Sequence, residues 1–181
     1  MLVYARLLTI PSLSYEYYIS NEFTSFQDIN RIVVDDRYAE LRDHGGETSI
    51  PPTLAHFANT LQNDLQKIFD LKIPVEVQPL LDKQSNSLVL TIDDSSSVFL
   101  DAAGRHSTEG YALNVTHNSI KIAGASPLGT WWGTRTVLQA AVLYGGKIPH
   151  GRTADTPGWR SRGAMVCLIV LTYLCVLGQD R

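Results

Sequence analysis

An amphipathic stripe follows Pro51-Pro52 and is the clearest hydrophobic pattern in the chain. Proline suits the first turn of a helix, where amide hydrogens have no partner inside the helix. Beyond it, spacings of three and four place one apolar set on a single helix face: Leu54, Phe57, Ala58, Leu61, Leu65 and Ile68. Polar residues fill the other face, and Pro74 prevents any continuation. The pattern predicts a helix that packs one face on a core.

A second helix is predicted from about Leu128 to Tyr144, where Gly145-Gly146 ends the apolar run because glycine tolerates the left-handed conformation of a helix cap. Trp131 and Trp132 are adjacent on this helix, so the two indoles cannot both face the same core. We interpret one as a core residue and the other as a residue at a domain interface. A platform on which a sugar ring stacks is the alternative.

Short β-branched or alternating runs predict the strands. These runs are Ile32–Val34, Val75–Val77, Leu88–Ile92, and the hairpin formed by Tyr111–Val115 and Ile120–Ile122. Residues 1–28 give only a weak extended signal, and residues 145–156 read as a polar linker rich in glycine and proline. An all-parallel sheet would need a helix after nearly every strand, so we expect an α+β fold in which two main helices pack on a mixed β-sheet.

Composition excludes several classes of partner. The 181 residues are 44% hydrophobic and 18% charged with a net charge of −3, so we expect no nucleic acid and no anionic membrane as partner. Both cysteines, Cys167 and Cys175, lie near the end, so the body of the chain cannot depend on a disulfide. The start of the chain does not resemble a signal peptide, which leaves the compartment open. The apolar run from Ala164 to Leu177 is too short for a membrane span.

Candidate chemistry is sparse. No two histidines lie four apart with a glutamate between them, as a zinc protease helix requires. The pairs Asp35-Asp36 and Asp93-Asp94 follow strands and are interpreted as turn and cap residues, so no metal and no cofactor is expected. Asn114 begins the sequon Asn-Val-Thr, a glycosylation site only if the chain is secreted.

Four segments, in order and at their spacings, carry a family resemblance. They are Ile32–Leu54 with its Gly-Glu-Thr-Ser-Ile-Pro-Pro core, Glu109–Ala123, Gly129–Gln139 with its Gly-Thr-Trp-Trp-Gly start, and Asp155–Met165 with its Arg162-Gly163 pair. The chain resembles the N-terminal domain of glycoside hydrolase family 20, the β-N-acetylhexosaminidases, and most closely the fungal members.

The resemblance implies an α+β domain, of a topology likened to zinc proteases, that packs against a catalytic (β/α)₈ barrel. Family 20 enzymes remove terminal N-acetylhexosamines from glycans or chitin fragments with help from the acetamido group of the substrate. An Asp-Glu pair in the barrel assists them, and no Asp-Glu dipeptide occurs in this chain. The resemblance assigns one substrate-binding residue, Arg162, which would hydrogen-bond sugar hydroxyls in the complete enzyme; in this chain an ordinary exposed arginine is the alternative. The family is usually secreted, vacuolar or lysosomal.

We therefore expect four regions: a poorly defined extension over 1–29, the hexosaminidase N-terminal domain over 30–156, the first barrel strand over 157–165, and an aberrant apolar tail over 166–181 in a chain truncated as the barrel begins. The expected function is that of a non-catalytic accessory domain, inactive by itself, with an exposed apolar patch around the second helix. A stand-alone carbohydrate-binding module and a protein that docks on an intact hexosaminidase are the alternatives.

Overall fold

The computed structural model describes residues 2–7, 9, 13–18, 22–45, 49–81, 84–93 and 99–159, with side chains from residue 7 onward except those of 14–18. Two helices pack on one face of an eight-stranded mixed sheet, and a two-stranded sheet lies beside it. The predicted α+β class is confirmed. Arg162 and the tail from 166 lie outside the described residues.

The strands span Leu2–Leu7 (β1), Leu13–Tyr18 (β2), Phe23–Ser25 (β3), Arg31–Asp35 (β4), Val75–Gln78 (β5), Ser87–Ile92 (β6), Tyr111–Thr116 (β7), Ser119–Gly124 (β8), Lys147–Pro149 (β9) and Gly151–Asp155 (β10). The large sheet has the order β1-β2-β10-β7-β8-β6-β4-β5. Three neighbouring pairs at one end of this sheet are parallel, namely β5 with β4, β4 with β6, and β6 with β8, and the other neighbours are antiparallel. The small sheet pairs β3 with β9. A 3₁₀ turn covers Phe26–Asp28.

Helix α1 spans Leu54–Phe69 and packs on β4 and β5. A capping box begins it: the Thr53 hydroxyl accepts the His56 amide, and the His56 ring accepts the Thr53 amide. The predicted apolar stripe is buried from Leu54 to Leu65, but its last member, Ile68, is 50% exposed. The helix ends before Pro74, because Asp70 adopts the left-handed conformation and its amide bonds back to Gln66.

Helix α2 spans Pro127–Leu143, within one residue of the prediction, and packs on β6, β7 and β8. The hydroxyl of Ser126 accepts the amides of Leu128 and Gly129, which caps the helix. Glycines bring the helix close to the sheet: a Cβ at Gly129 would lie 2.2 Å from the Gly110 carbonyl oxygen, and one at Gly133 would lie 2.4 Å from Ile122. Within the described part of the chain, neither helix has the length and apolar character to cross a membrane.

The predicted linker over 145–156 is wrong, because most of this stretch forms β9 and β10. Strand β10 lies between β2 and β7 and pairs with both. Burial alternates along it, with Gly151 and Thr153 buried and Arg152 and Ala154 exposed. Small and polar residues at the buried positions hide this period in the sequence.

The first 29 residues also carry strands, since β1, β2 and β3 all lie within them. Strand β2 joins the large sheet through β10, and β3 pairs with β9. The side chain of Leu7 is fully buried and belongs to the same hydrophobic core as the helices. The boundary at residue 30 and the other domain limits stay predictions.

Candidate functional site

The outer face of α2 carries apolar side chains that the described elements leave partly exposed. Trp132, Thr136, Gln139 and Leu143 follow one another at spacings of four, three and four, so they form one stripe about 16 Å long, which we call the α2 stripe. Trp132 is 39% exposed and Leu143 is 52% exposed, and neighbouring Val142 is 53% exposed. A helix that is apolar on more than one face is usually buried on more than one face.

A groove of about 570 Å³ runs between the α2 stripe and the end of β10. One wall comes from α2, and the other comes from the segment that follows β10. Its lining consists of Glu109, Tyr111, Trp132, Arg135, Thr136, Gln139, Asp155, Thr156, Pro157, Gly158 and Trp159. Trp159 is 64% exposed, so two partly exposed indoles border the same groove.

Hydrogen bonds fix the polar side chains of the groove. The Trp132 indole N–H donates to Glu109 Oε2 at 3.1 Å, which holds the orientation of the ring. The Tyr111 hydroxyl lies 2.7 Å from Thr136 Oγ1 and also hydrogen-bonds to the Asp155 carboxylate. Burial raises the pKa of Tyr111, and burial also raises the pKa of Asp155 although Tyr111 and the Thr156 amide donate to it.

On its other side, α2 is tied to α1. Arg135 donates to Asp64 of α1 at 2.5 Å, and its guanidinium lies 3.8 Å from the centroid of the Trp131 ring. That ring packs against Phe57 of α1 at a centroid distance of 5.0 Å. The adjacent tryptophans therefore face different ways, as predicted, but neither is a core residue: Trp131 lies half-buried between the helices, and Trp132 lies on the outer face. The position of Trp132 at a domain interface stays a prediction.

Asn114 lies on the opposite face of the sheet. Tyr111, Leu113 and Val115 face the helices, so the alternating residues of β7 face away from them. Asn114 and Lys121 are direct partners of the β7–β8 pair and line a second, polar groove with Arg37 and Leu81. The use of the sequon stays a prediction.

The first of the paired aspartates has a structural role. The Asp35 carboxylate is buried and accepts hydrogen bonds from Arg37 and from the Thr91 hydroxyl at 2.6 Å. Burial by itself would raise its pKa, but the bonds from Arg37 and Thr91 outweigh burial and lower the pKa. Asp35 therefore anchors the turn after β4. In the described part of the chain, no three His, Cys, Asp or Glu side chains come together in a way that could hold a metal ion.

A buried histidine joins the two sheets at the other end of the molecule. His150, between β9 and β10, is 3% exposed; its Nδ1 lies 3.4 Å from Glu22 Oε2, and its ring meets His117 edge-on at 6.0 Å. Burial lowers the pKa of His150, which favours the neutral ring at neutral pH. We interpret this contact as a structural link.

Sequence reasoning missed the Tyr111–Asp155 contact and the Asp64–Arg135 pair. The first depends on the register of β10 on β7, in which Asp155 is the partner of Tyr111. The second depends on how the two helices pack side by side. Neither leaves a local pattern in the sequence.

An exposed apolar helix face on an α+β domain is typical of a surface that packs against a further domain. The sequence model described as "Glycosyl hydrolase family 20, domain 2" matches residues 44–156, and the chain belongs to this family. The predicted membership of family 20 is confirmed, whereas the fungal type stays a prediction.

Comparisons with individual proteins agree with this family. The chain is 30% identical to the lacto-N-biosidase of Bifidobacterium bifidum over 114 residues, which are 63% of this chain and 9% of that protein. Its fold is similar to that of the family 20 β-N-acetylhexosaminidase of Streptomyces coelicolor, with a TM-score of 0.50, 18% identity and coverage of 80% of this chain and 25% of that one. The fold is also similar to that of the N-acetyl-β-hexosaminidase of Streptomyces plicatus, with a TM-score of 0.52, 17% identity and coverage of 82% of this chain and 26% of that one. The chain thus spans a small part of each relative.

Proposed function

We propose that this domain is a non-catalytic accessory domain that packs through α2 against the catalytic (β/α)₈ barrel of a β-N-acetylhexosaminidase. The observation that carries the proposal is the α2 stripe, whose exposed Trp132 and Leu143 lie on a helix that already buries its opposite face on the sheet. An exposed apolar face of this kind is typical of an interaction surface. The segment after β10 borders the same surface, so a following domain would begin beside it.

The activity that we assign to the parent enzyme is the hydrolysis of terminal N-acetylhexosamines from glycans or chitin fragments. Family membership and the two Streptomyces hexosaminidases with a similar fold support this assignment. In this scheme the barrel supplies an Asp-Glu pair and the substrate supplies its acetamido oxygen. Within the same proposal Arg162 contacts the sugar, Asn114 carries a glycan if the protein is secreted, and the parent is of the fungal type.

Two carboxylates border the α2 groove, and glycoside hydrolysis commonly uses two. Both have structural partners, since Glu109 holds the Trp132 indole and Asp155 accepts from Tyr111. We therefore expect no release of chromophore from a p-nitrophenyl N-acetylglucosaminide by the purified chain, with the same background for the double variant Glu109→Gln/Asp155→Asn. Turnover by the unaltered chain that this double variant abolishes would overturn the non-catalytic assignment.

Docking through α2 is tested by self-association, because an uncovered apolar face finds copies of itself when the barrel is absent. Sedimentation velocity over a concentration series should show association of the unaltered chain and a clear decrease for Leu143→Gln. The matched control is Ile68→Gln, because Ile68 is similarly exposed but lies on α1. Equal association of all three proteins would argue against α2 as the docking face.

A second candidate function is that of a carbohydrate-binding module. The observation in its favour is that Trp132 and Trp159 border a groove that also contains carboxylate and amide side chains. Titration with N,N′-diacetylchitobiose, monitored by tryptophan fluorescence, tests it. Saturable quenching that Trp132→Ala removes would support this function over docking.

A further inference from the structure

Most of the described charged side chains that line the α2 groove are acidic. Glu109 and Asp155 supply two carboxylates, and Arg135 supplies a guanidinium. Arg135 is already paired with Asp64 at 2.5 Å and lies over the Trp131 ring, on the side of α2 that faces α1. Among these described side chains, carboxylates therefore outnumber guanidinium groups.

Asp155 is the carboxylate of the groove that a cation would pair with. It is partly buried, and the donors that hold it are the Tyr111 hydroxyl and the Thr156 amide, both of which are neutral. A carboxylate that is removed from water and held by neutral donors is stabilised further when a cation reaches it. Burial raises the pKa of Asp155, in agreement with the absence of a cation beside the carboxylate among the described residues.

The aromatic walls favour the same kind of ligand. Trp132 is held in place by Glu109 at 3.1 Å, and Trp159 offers a largely exposed ring on the other wall. Indole faces attract cations, and a planar guanidinium stacks on them while its N–H groups pair with a carboxylate. Lysine lacks this flat geometry, so arginine matches the groove better.

We propose that the α2 groove is a receptor for an arginine side chain, presented by the docked barrel, whose guanidinium pairs with Asp155 between the indoles of Trp132 and Trp159. This inference rests on the proposed docking function and names the chemistry of the partner. A protein partner is favoured over a saccharide because the groove continues into the α2 stripe, where Leu143 is exposed and apolar.

The test uses the full 181-residue chain labelled with ¹⁵N and N-acetyl-L-arginine amide as the probe. The indole N–H signals of the three tryptophans report the binding site, because Trp131 lies on the α1 side and serves as an internal control. The matched ligand is N-acetyl-L-citrulline amide, which has a similar shape and no charge. We expect the arginine probe to shift the Trp132 and Trp159 signals with a Kd of about 10 mM, and citrulline to bind at least about tenfold more weakly.

Substitution of Asp155 tests the contribution of its carboxylate to binding separately from that of the rest of the groove. Asp155→Asn should weaken the arginine probe by about tenfold, because the amide keeps the shape but removes the charge. The matched control, Asp28→Asn, changes an exposed aspartate in the 3₁₀ turn and should leave binding unaltered. Far-ultraviolet circular dichroism and the unchanged Trp131 signal would establish that both variants are folded.

Three results would overturn the inference. Equal binding of arginine and citrulline would mean that the groove does not recognise charge, and the absence of any shift would mean that it is not a receptor for this side chain. Shifts of Trp132 and Trp159 with N,N′-diacetylchitobiose but not with arginine would identify a saccharide site. Because the probe needs no barrel, each of these results can be obtained while the Leu143→Gln sedimentation test still supports docking, and the two proposals can fail separately.

Discussion

Helices α1 and α2 lie on the same face of the sheet, but they differ in the size of the side chains on their inner faces and in the polarity of their outer faces. α1 buries large residues such as Leu54, Leu61 and Leu65 against the sheet and shows asparagine, glutamine and lysine on its outer face. α2 approaches the sheet through Gly129 and Gly133 and shows Trp132 and Leu143 on its outer face. α1 therefore buries most of its apolar side chains within this domain and leaves Ile68 exposed near its end, whereas α2 exposes Trp132 and Leu143 along its outer face.

The two helices also treat charge differently. Asp64 on α1 has Arg135 of α2 as its partner, at 2.5 Å and with both side chains partly exposed. Asp155, at the end of β10, accepts hydrogen bonds from the Tyr111 hydroxyl and the Thr156 amide, both of which are neutral. The Asp64 carboxylate between the helices is thus paired with a cation, whereas the Asp155 carboxylate beside the α2 stripe is held by neutral donors among the described residues.

The largest effect should come from removing a large side chain of α1. Leu61 is fully buried in the core, and Leu61→Ala leaves a cavity that a close-packed interior fills only in part. We expect the free energy of unfolding to fall by about 3 kcal/mol, measured by urea denaturation. The control, Asn63→Ala on the exposed face of α1, should change it by less than about 0.5 kcal/mol. A loss below about 1 kcal/mol for Leu61→Ala would mean that α1 is not anchored by its large side chains.

For α2, the addition of a side chain should destabilise the fold, because the inner face of this helix has no room for one. Gly129→Ala adds a methyl group whose Cβ would lie 2.2 Å from the Gly110 carbonyl oxygen, so the helix must move away from the sheet. Alanine favours the helix by about 1 kcal/mol relative to glycine, which offsets part of the cost. The expected net loss is about 2 kcal/mol in the same urea experiment. A variant as stable as the unaltered chain would show that the close approach of α2 is not needed.

These two predictions depend on features that differ in how visible they are in the sequence. The stripe of α1 follows the helical period with large residues, and the fold class and both helix positions could be predicted from such patterns. Ile68 continues the period, but the left-handed Asp70 ends the helix and leaves it exposed. In strand β10 the buried residues are small or polar, and so are the exposed ones, so no apolar alternation marks the strand. It resembles a linker in the sequence, and only its pairing with β2 and β7 identifies it as a strand.

The candidate site was predictable only in outline. Adjacent tryptophans on one helix indicate that one of them faces outward, and Trp132 does so. The rest of the groove needs tertiary structure, because the pairing of β10 with β7 brings Asp155 to Tyr111. A pattern of single residues cannot encode such a contact, since each partner is an ordinary strand residue by itself.

The smallest effect should come from the ionisation of Asp155. It tests whether the carboxylate in the α2 groove lacks the cationic partner that Asp64 has between the helices. Burial raises the pKa of Asp155 in the folded chain, so the ionised form is less favourable there than in the unfolded chain. The contribution of the protonated Asp155 to stability is therefore fully present below the pKa that Asp155 has in the unfolded chain. It is lost as the pH rises through the higher pKa that Asp155 has in the folded chain. Asp155→Asn cannot ionise but still accepts from Tyr111, so we expect its Tm to exceed that of the unaltered chain by about 1–2 °C at pH 7 and to match it near pH 3.5. Differential scanning calorimetry from pH 3.5 to 7 measures this, with Asp28→Asn as the exposed control. If the Tm of Asp155→Asn were lower at pH 7, the carboxylate would already have a stabilising cation within the chain, and the contrast between the two sides of α2 would not hold.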